Sequence, residues 1–276
     1  MSSRPAAVLL VVAALATPAL AATGEYLFHA AGCAGCHTAE DGPPLAGGRR
    51  FDTAFGTFYS PNITPDRATG IGGWTRERFV RALKHGERGD GAAYFPVFPY
   101  PSYRLLSDDD AAAIHSYLQS LPPQHHRNRD HDLPWWLARW MLHPWQWWLM
   151  DDPPQPPADA ELRRGWYLVD ALGHCGECHT PRSSTGVSIR ARYLAGTRDG
   201  PDGEKVPNIT PQPRDGIGRW SADDLAYFLE TGALPDGDYT GSLMSEVVDN
   251  TTSRLSGEDR AALVRYLRSV APVEGP

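Results

Sequence analysis

The sequence predicts an all-α protein made of two tandem helical domains joined by a Trp/Pro-rich linker. Three observations predict it. A long pattern of residues occurs twice. Gly and Pro are abundant, 27 and 25 in 276 residues, which implies short helices between many loops. Apolar residues recur at helical spacing, and no run shows convincing strand alternation. The repeat is specific. Gly24-Glu25-Tyr26-Leu27 returns as Gly165-Trp166-Tyr167-Leu168, and Asn62-Ile63-Thr64-Pro65 returns as Asn208-Ile209-Thr210-Pro211. Gly70-Ile71-Gly72-Gly73-Trp74-Thr75 returns as Gly216-Ile217-Gly218-Arg219-Trp220-Ser221. Two copies of this size make two domains, whereas an array of many makes a solenoid.

Taken in order, residues 1–21 read as a signal peptide. Arg4 supplies the charge, an apolar run covers 6–16, and Ala19-Leu20-Ala21 is a small-x-small cleavage site. The run is short for a membrane anchor, so a soluble, exported protein starting near Ala22 is expected, with an uncleaved anchor as the alternative. The first domain is 22–124 and the second 159–276. Each opens with a helix near Gly24 or Gly165. A second helix starts at the N-cap Thr75 or Ser221 and stops at Gly86 or Gly232. A last helix starts at Ser107 or Ser256, each with an Asp three residues on, Asp110 or Asp259, as a capping box. Between the domains lies the linker, 125–158. Six of the nine tryptophans fall between Trp135 and Trp148. It reads either as a helix packed across both domains or as a docking surface for a membrane-bound partner.

All four cysteines fall in two Cys-x-x-Cys-His motifs, Cys33-Ala34-Gly35-Cys36-His37 and Cys175-Gly176-Glu177-Cys178-His179. This is the c-type haem attachment spacing. Two thiols reach the two vinyl groups of one porphyrin, and the adjacent His projects to the iron. Two covalently bound haem c groups are therefore expected, on Cys33 and Cys36 and on Cys175 and Cys178, with His37 and His179 as proximal iron ligands. Two Cys-x-x-Cys disulfides or one four-Cys zinc site are the alternatives, and both leave the paired histidines unexplained. A net charge of −7 argues against a nucleic-acid partner.

The sixth iron ligand differs between the halves. Met244 lies where a small haem domain of this type places its distal Met, shortly before the last helix. The corresponding point of the first half is Phe98, and no Met lies between His37 and Trp140. The first haem is then five-coordinate or takes another group: His85, His115, His125, His126, His131 or Met141. An open position can do chemistry, with Tyr94, His85 and Arg88 in the nearby loop. A closed His/Met site only passes electrons.

These residues resemble a family. Ser60-Pro61-Asn62-Ile63-Thr64-Pro65-Asp66 leading to Gly70-Ile71-Gly72-Gly73-Trp74 is similar to the cytochrome c subunits of bacterial membrane-associated alcohol, aldehyde and gluconate dehydrogenases. So are Phe98-Pro99-Tyr100-Pro101-Ser102-Tyr103 and the segment from Gly173 through the second motif to Arg182. The resemblance implies two tandem class I cytochrome c domains and a periplasmic electron relay. A dehydrogenase subunit is the implied donor, and a cytochrome, quinone or terminal oxidase the acceptor. The chain departs from that family's best-known members in lacking a third haem domain and an apparent C-terminal membrane-binding segment. The expected role is electron transfer without substrate chemistry. The rival is a dihaem enzyme acting on peroxide or a sulfur compound at the first haem.

Overall fold

The expected leader, 1–21, lies outside the residues that the computed structural model describes, 23–150 and 152–276. Within these the chain is mostly helical with one small sheet. Helix α1 (Gly24–Ala30) starts at Thr23, whose hydroxyl accepts from the Tyr26 amide at 3.2 Å. Gly32 then takes a left-handed φ of 64°, and α2 (Cys33–His37) follows as a separate short helix. Strands β1 (Arg50–Thr53) and β2 (Gly56–Tyr59) pair antiparallel, Arg50 opposite Tyr59 and Thr53 opposite Gly56.

That hairpin corrects the expectation of a protein without strands. Its turn, Ala54-Phe55, has none of the Asn-Gly chemistry that marks a tight hairpin. Tertiary contact holds it instead: Thr57 and Asp132 exchange backbone hydrogen bonds of 3.0 and 2.9 Å. Such a partner, 75 residues away in the chain, leaves no local signal.

The remaining helices are α3 (Arg76–His85), α4 (Tyr100–Tyr103), α5 (Asp108–Ser120), α6 (Leu142–Trp148), α7 (Ala160–Trp166), α8 (Gly176–His179), α9 (Ala222–Thr231), α10 (Ser242–Asn250) and α11 (Gly257–Ser269). The capping residues read from sequence hold. Thr75 and Ser221 cap α3 and α9, and Gly86 and Gly232 end them in the left-handed region. Ser107 and Ser256 cap α5 and α11. Met244, expected shortly before the last helix, sits in the first turn of a separate helix, α10.

In each half the first and last helices cross at a glycine. A Cβ on Gly24 would lie 2.2 Å from the Ala113 carbonyl oxygen, and one on Gly165 2.1 Å from that of Ala262. These close crossings bury Leu27 and Phe28 on α1, Ile114 and Leu118 on α5, and Leu263 and Leu267 on α11. The same continuous core takes in Leu168, Val169 and Leu172. Those residues belong to a π-helical turn, Tyr167–Leu172, after α7. The turn has a cause in the repeat. Gly24 to Gly165 is an offset of 141, but Cys33 to Cys175 is 142. The second half has one extra residue between helix and motif, and a π turn absorbs one residue within a helix.

The halves also exchange contacts reciprocally. Tyr26 of α1 accepts from the Ser256 amide at 3.2 Å and donates to Asp259 at the start of α11. Tyr167, its counterpart, accepts from the Ser107 amide at 3.1 Å and donates to Asp110 at the start of α5. The expected capping boxes at Ser107 and Ser256 are therefore half right. Each Ser hydroxyl does accept from its Asp amide, at 3.0 and 3.1 Å. Each Asp carboxylate, however, takes a Tyr hydroxyl from the other half in place of the cap amide. The full box forms at Ser221 and Asp224.

Candidate haem attachment sites

Both motifs are short helices held by the same backbone frame. Nδ1 of His37 lies 2.8 Å from the Pro61 carbonyl, and Nδ1 of His179 lies 2.8 Å from that of Pro207. The His37 carbonyl accepts from Gly47 at 2.8 Å, and the His179 carbonyl from Gly196 at 2.7 Å. A side-chain clasp sits behind each Pro. Asn62 accepts from the Thr64 amide at 2.9 Å and donates to the Gln124 carbonyl at 2.7 Å. Asn208 does the same with Thr210 at 2.8 Å and Val273 at 2.7 Å. The repeated Asn-Ile-Thr-Pro thus ties the loop that orients the histidine to the chain leaving the last helix. The sequence showed the repeat, but not that the preceding Pro carbonyl is its working atom.

The chemistry follows from the protons. A carbonyl only accepts, so each Nδ1 carries the hydrogen and each Nε2 keeps a free lone pair. Burial pushes both imidazoles below their ordinary pKa, which favours the neutral form a metal needs. Burial also pushes the Cys33 and Cys175 thiols up to about 12 and Cys178 up to about 11. A redox dithiol needs a stabilised thiolate, the opposite shift. All four cysteines are free of disulfides. Among the described residues, no three His, Cys, Asp or Glu side chains converge as a metal cluster, so the four sulfurs do not form a zinc site. What remains is two thiols and a pre-oriented imidazole in each motif. That set fits covalent haem, with Cys33, Cys36 and His37 holding one group and Cys175, Cys178 and His179 the other.

The two motifs abut. A Cβ on Gly32 would stand 3.0 Å from Oγ1 of Thr251 and 3.9 Å from Cε1 of His174. Arg49 donates to the Gly35 carbonyl at 2.7 Å and pairs with Glu246 of α10. Ser102, four residues after Phe98, donates to Glu177 inside the second motif at 2.7 Å. His174 takes a positive φ of 39° and meets the ring of Tyr103 edge-on at 5.3 Å. His174 takes before the second motif the left-handed place that Gly32 takes before the first, and the sequence alone gave it no role.

The sixth-ligand candidates scatter. Met244 is half-buried on α10, two residues from Glu246 and its contact with the first motif. Phe98 is half-buried among the rings of Tyr94, Tyr100 and Tyr103, with centroids 5.7 to 6.4 Å away. His115 is buried against Phe79 and contacts Gln119 at 3.1 Å. His131 accepts from the Tyr59 amide at 3.2 Å and packs on Phe58 and Phe95. His125 faces Asp66 at 3.5 Å. His85, His126 and Met141 are exposed. Arg88 pairs with Asp90 and lies over the Tyr94 ring, 5.8 Å from its centroid.

Fold and motif geometry together fit a protein of the kind that carries covalently bound haem. Residues 21–122 match the model of the Cytochrome c family. The chain is 43% identical, over 92% of its length and 87% of the relative, to a dihaem cytochrome c-type protein of Cereibacter sphaeroides. It is 41% identical over 92% of its length to the gluconate 2-dehydrogenase cytochrome c subunit of Pantoea cypripedii. It is 39% identical over 94% to the cytochrome c subunit of the alcohol dehydrogenase (quinone) of Gluconobacter oxydans. It spans 60% and 56% of the lengths of those two subunits. The chain belongs to the cytochrome c family.

Proposed function

We propose that the protein is an exported dihaem cytochrome that relays electrons from a dehydrogenase to a downstream cytochrome, quinone or terminal oxidase. The observation that carries this reading is the abutment of the two motifs. Two sites that only shared a chain would need no contact. Here Gly32 faces His174, and Arg49 bridges the first motif to α10. Bound at these motifs, haem supplies an iron centre that changes oxidation state by one electron.

The chain's own residues supply position and environment. Cys33, Cys36, Cys175 and Cys178 hold the groups by thioether bonds, while His37 and His179 are the proximal ligands, aimed by Pro61 and Pro207. Met244 is the distal ligand in the second half, and the first half offers no Met of its own. Tandem domains over 22–124 and 159–276, joined by 125–158, carry one site each. The leader-like residues 1–21 support attachment in the periplasm. The surroundings of Phe98 favour relay over catalysis. Tyr103 is spent on the Ala31 carbonyl at 2.8 Å, and Tyr100 accepts from Gln146 at 3.1 Å. That leaves an aromatic wall where an enzyme needs an acid–base pair. The relatives' printed names support a dehydrogenase as donor.

Mass spectrometry of the denatured mature chain should show two retained haems. The purified protein should accept electrons from a dehydrogenase while leaving peroxide and sulfur compounds unreacted. Haem that extracts into acidified solvent, or turnover of peroxide, overturns this reading.

A further inference from the structure

The π turn that absorbs the extra residue of the second half also buries a carboxyl, that of Asp170. Tyr193 donates to both of its oxygens at 2.9 Å, and the Tyr266 hydroxyl of α11 stands 3.3 Å from that of Tyr193. Arg190, hydrogen-bonded to the Asp152 carbonyl, is the cation whose charge bears on it. Burial outweighs these partners and pushes its pKa to about 6. Two contacts tie this carboxyl to the second motif. The Val169 carbonyl, in the peptide bond that joins it to Asp170, accepts from the Cys175 amide at 2.9 Å. The Tyr193 ring lies on the motif itself: a Cβ on Gly176 would stand 3.6 Å from its Cε2. Asp170, Tyr193, Tyr266 and Gly176 share the lining of one cavity of about 420 Å³. Exposed Gln155 and Arg190 line it too, so solvent protons reach the carboxyl. Its other charged groups are engaged: Glu177 pairs with Arg182, and Arg104 donates to the Pro101 carbonyl. Among the described residues the first half buries no carboxyl. There Pro44 stands where Tyr193 does, before the shared Leu-Ala-Gly, and Tyr117, the counterpart of Tyr266, packs on Phe28 at 5.2 Å.

We propose that Asp170 is a redox-linked proton site: it takes up one proton from solvent when the haem on the second motif gains one electron, and releases it when that electron leaves. Iron(III) becomes iron(II), the carboxylate becomes a carboxylic acid, and the net charge around the second motif is unchanged. The electron comes from the dehydrogenase donor and the proton from the cavity. The cause is Coulombic. The positive charge of an oxidised site supports a carboxylate, and reduction removes that support. Burial leaves the interaction poorly screened, whereas a surface carboxylate would feel little of it. Tyr193 fits both states, since its hydroxyl donates to the carboxylate and accepts from the acid. The sulfur of Cys175, uncharged as a thioether, does not compete. The second site then becomes the stronger reductant as pH rises, and the first does not. This role rests on haem attachment at the second motif, which the mass spectrum reads independently.

The test is a redox titration of the full haem-loaded protein, followed by absorbance from about pH 5 to about pH 8. The reduction equilibrium of one haem should weaken at least about threefold as pH rises over that range. In Asp170→Asn, which keeps the side-chain shape but cannot titrate, that dependence should vanish with both haems still bound. Tyr193→Phe removes the donor to both carboxylate oxygens, so the fall should move to higher pH. If Asp170→Asn fails to fold, infrared difference spectra of the wild type decide the matter. Reduction near about pH 6 should bring up the C=O band of a carboxylic acid, shifted in Tyr193→Phe. The proposal is overturned if both wild-type potentials are flat across the range or if the slope survives unchanged in folded Asp170→Asn. It is also overturned if Tyr193→Phe leaves the fall where it was, or if reduction raises no such band. A protein that holds two haems and relays electrons at flat potentials loses this role and keeps the relay.

Discussion

Met244 and Phe98 occupy matching points of the repeat but meet different surroundings. Met244 stands half-buried in the first turn of α10, while Phe98 is wedged among three tyrosine rings. As the proposed distal ligand, Met244→Ala should abolish the near-infrared band of thioether–iron ligation and lower one reduction potential, leaving the other in place. Persistence of that band would reassign the ligand. Asp170 offers a second test. It is buried with Tyr193 donating to both carboxylate oxygens at 2.9 Å, and burial pushes its pKa to about 6. The folded value lies above the unfolded one of 3.8, so the native state holds the proton more tightly. Stability from this group is complete below the unfolded value and is lost as pH rises through 6. Asp170→Asn should remove that loss, worth up to about 3 kcal/mol at neutral pH. Melting curves at pH 4 and 7 would show it as a flatter profile. An unchanged pH dependence in the variant would clear Asp170 of the role.

At the scale of elements, the glycine crossings and the exchanged tyrosines hold the helices in register. Gly24→Ala places a Cβ 2.2 Å from a backbone oxygen that cannot move without α5. The cost should be at least about 2 kcal/mol, seen as a lower melting temperature, and Gly165→Ala should match it. Tyr167→Phe leaves the Ser107 amide and the Asp110 carboxylate without their shared hydroxyl. A loss of about 1–2 kcal/mol is expected in urea unfolding. A neutral result would mean that water replaces the hydroxyl. The caps at Thr75, Ser221, Ser107 and Ser256 were legible because they are local chemistry. The tyrosines were not, because each completes a cap more than 55 residues away, on the other half.

For the whole molecule, the contact between motifs and the mismatch of their distal residues make one expectation. A redox titration should resolve two separated potentials, the Met-ligated site being the higher. After rapid partial reduction, electrons should redistribute between the sites in a phase independent of protein concentration. Two equivalent His/Met spectra would defeat this, and a concentration-dependent phase would separate the sites. The direction would then run from the first half to the second, so the donor meets the first and the acceptor the second.

What the sequence determined alone is the chemistry that depends on spacing. Two thiols and a histidine within five residues, helix caps at single residues, and a repeat that places Met244 against Phe98 are all set within a few positions of the chain. Even the π turn is foreshadowed by a repeat offset that grows by one between Gly165 and Cys175. The tertiary structure alone decided what depends on distant partners. It showed that a hairpin leans on Asp132, that Pro61 and Pro207 set the histidine protons, that the halves trade tyrosines, and that residues 133–150 pack through leucines while Trp135, Trp136, Trp140, Trp147 and Trp148 are exposed. The reason is one of range. Caps and covalent motifs are satisfied by neighbours in the chain, whereas a buried carbonyl, a cross-half hydroxyl or an exposed ring is defined by whichever surface folding brings beside it.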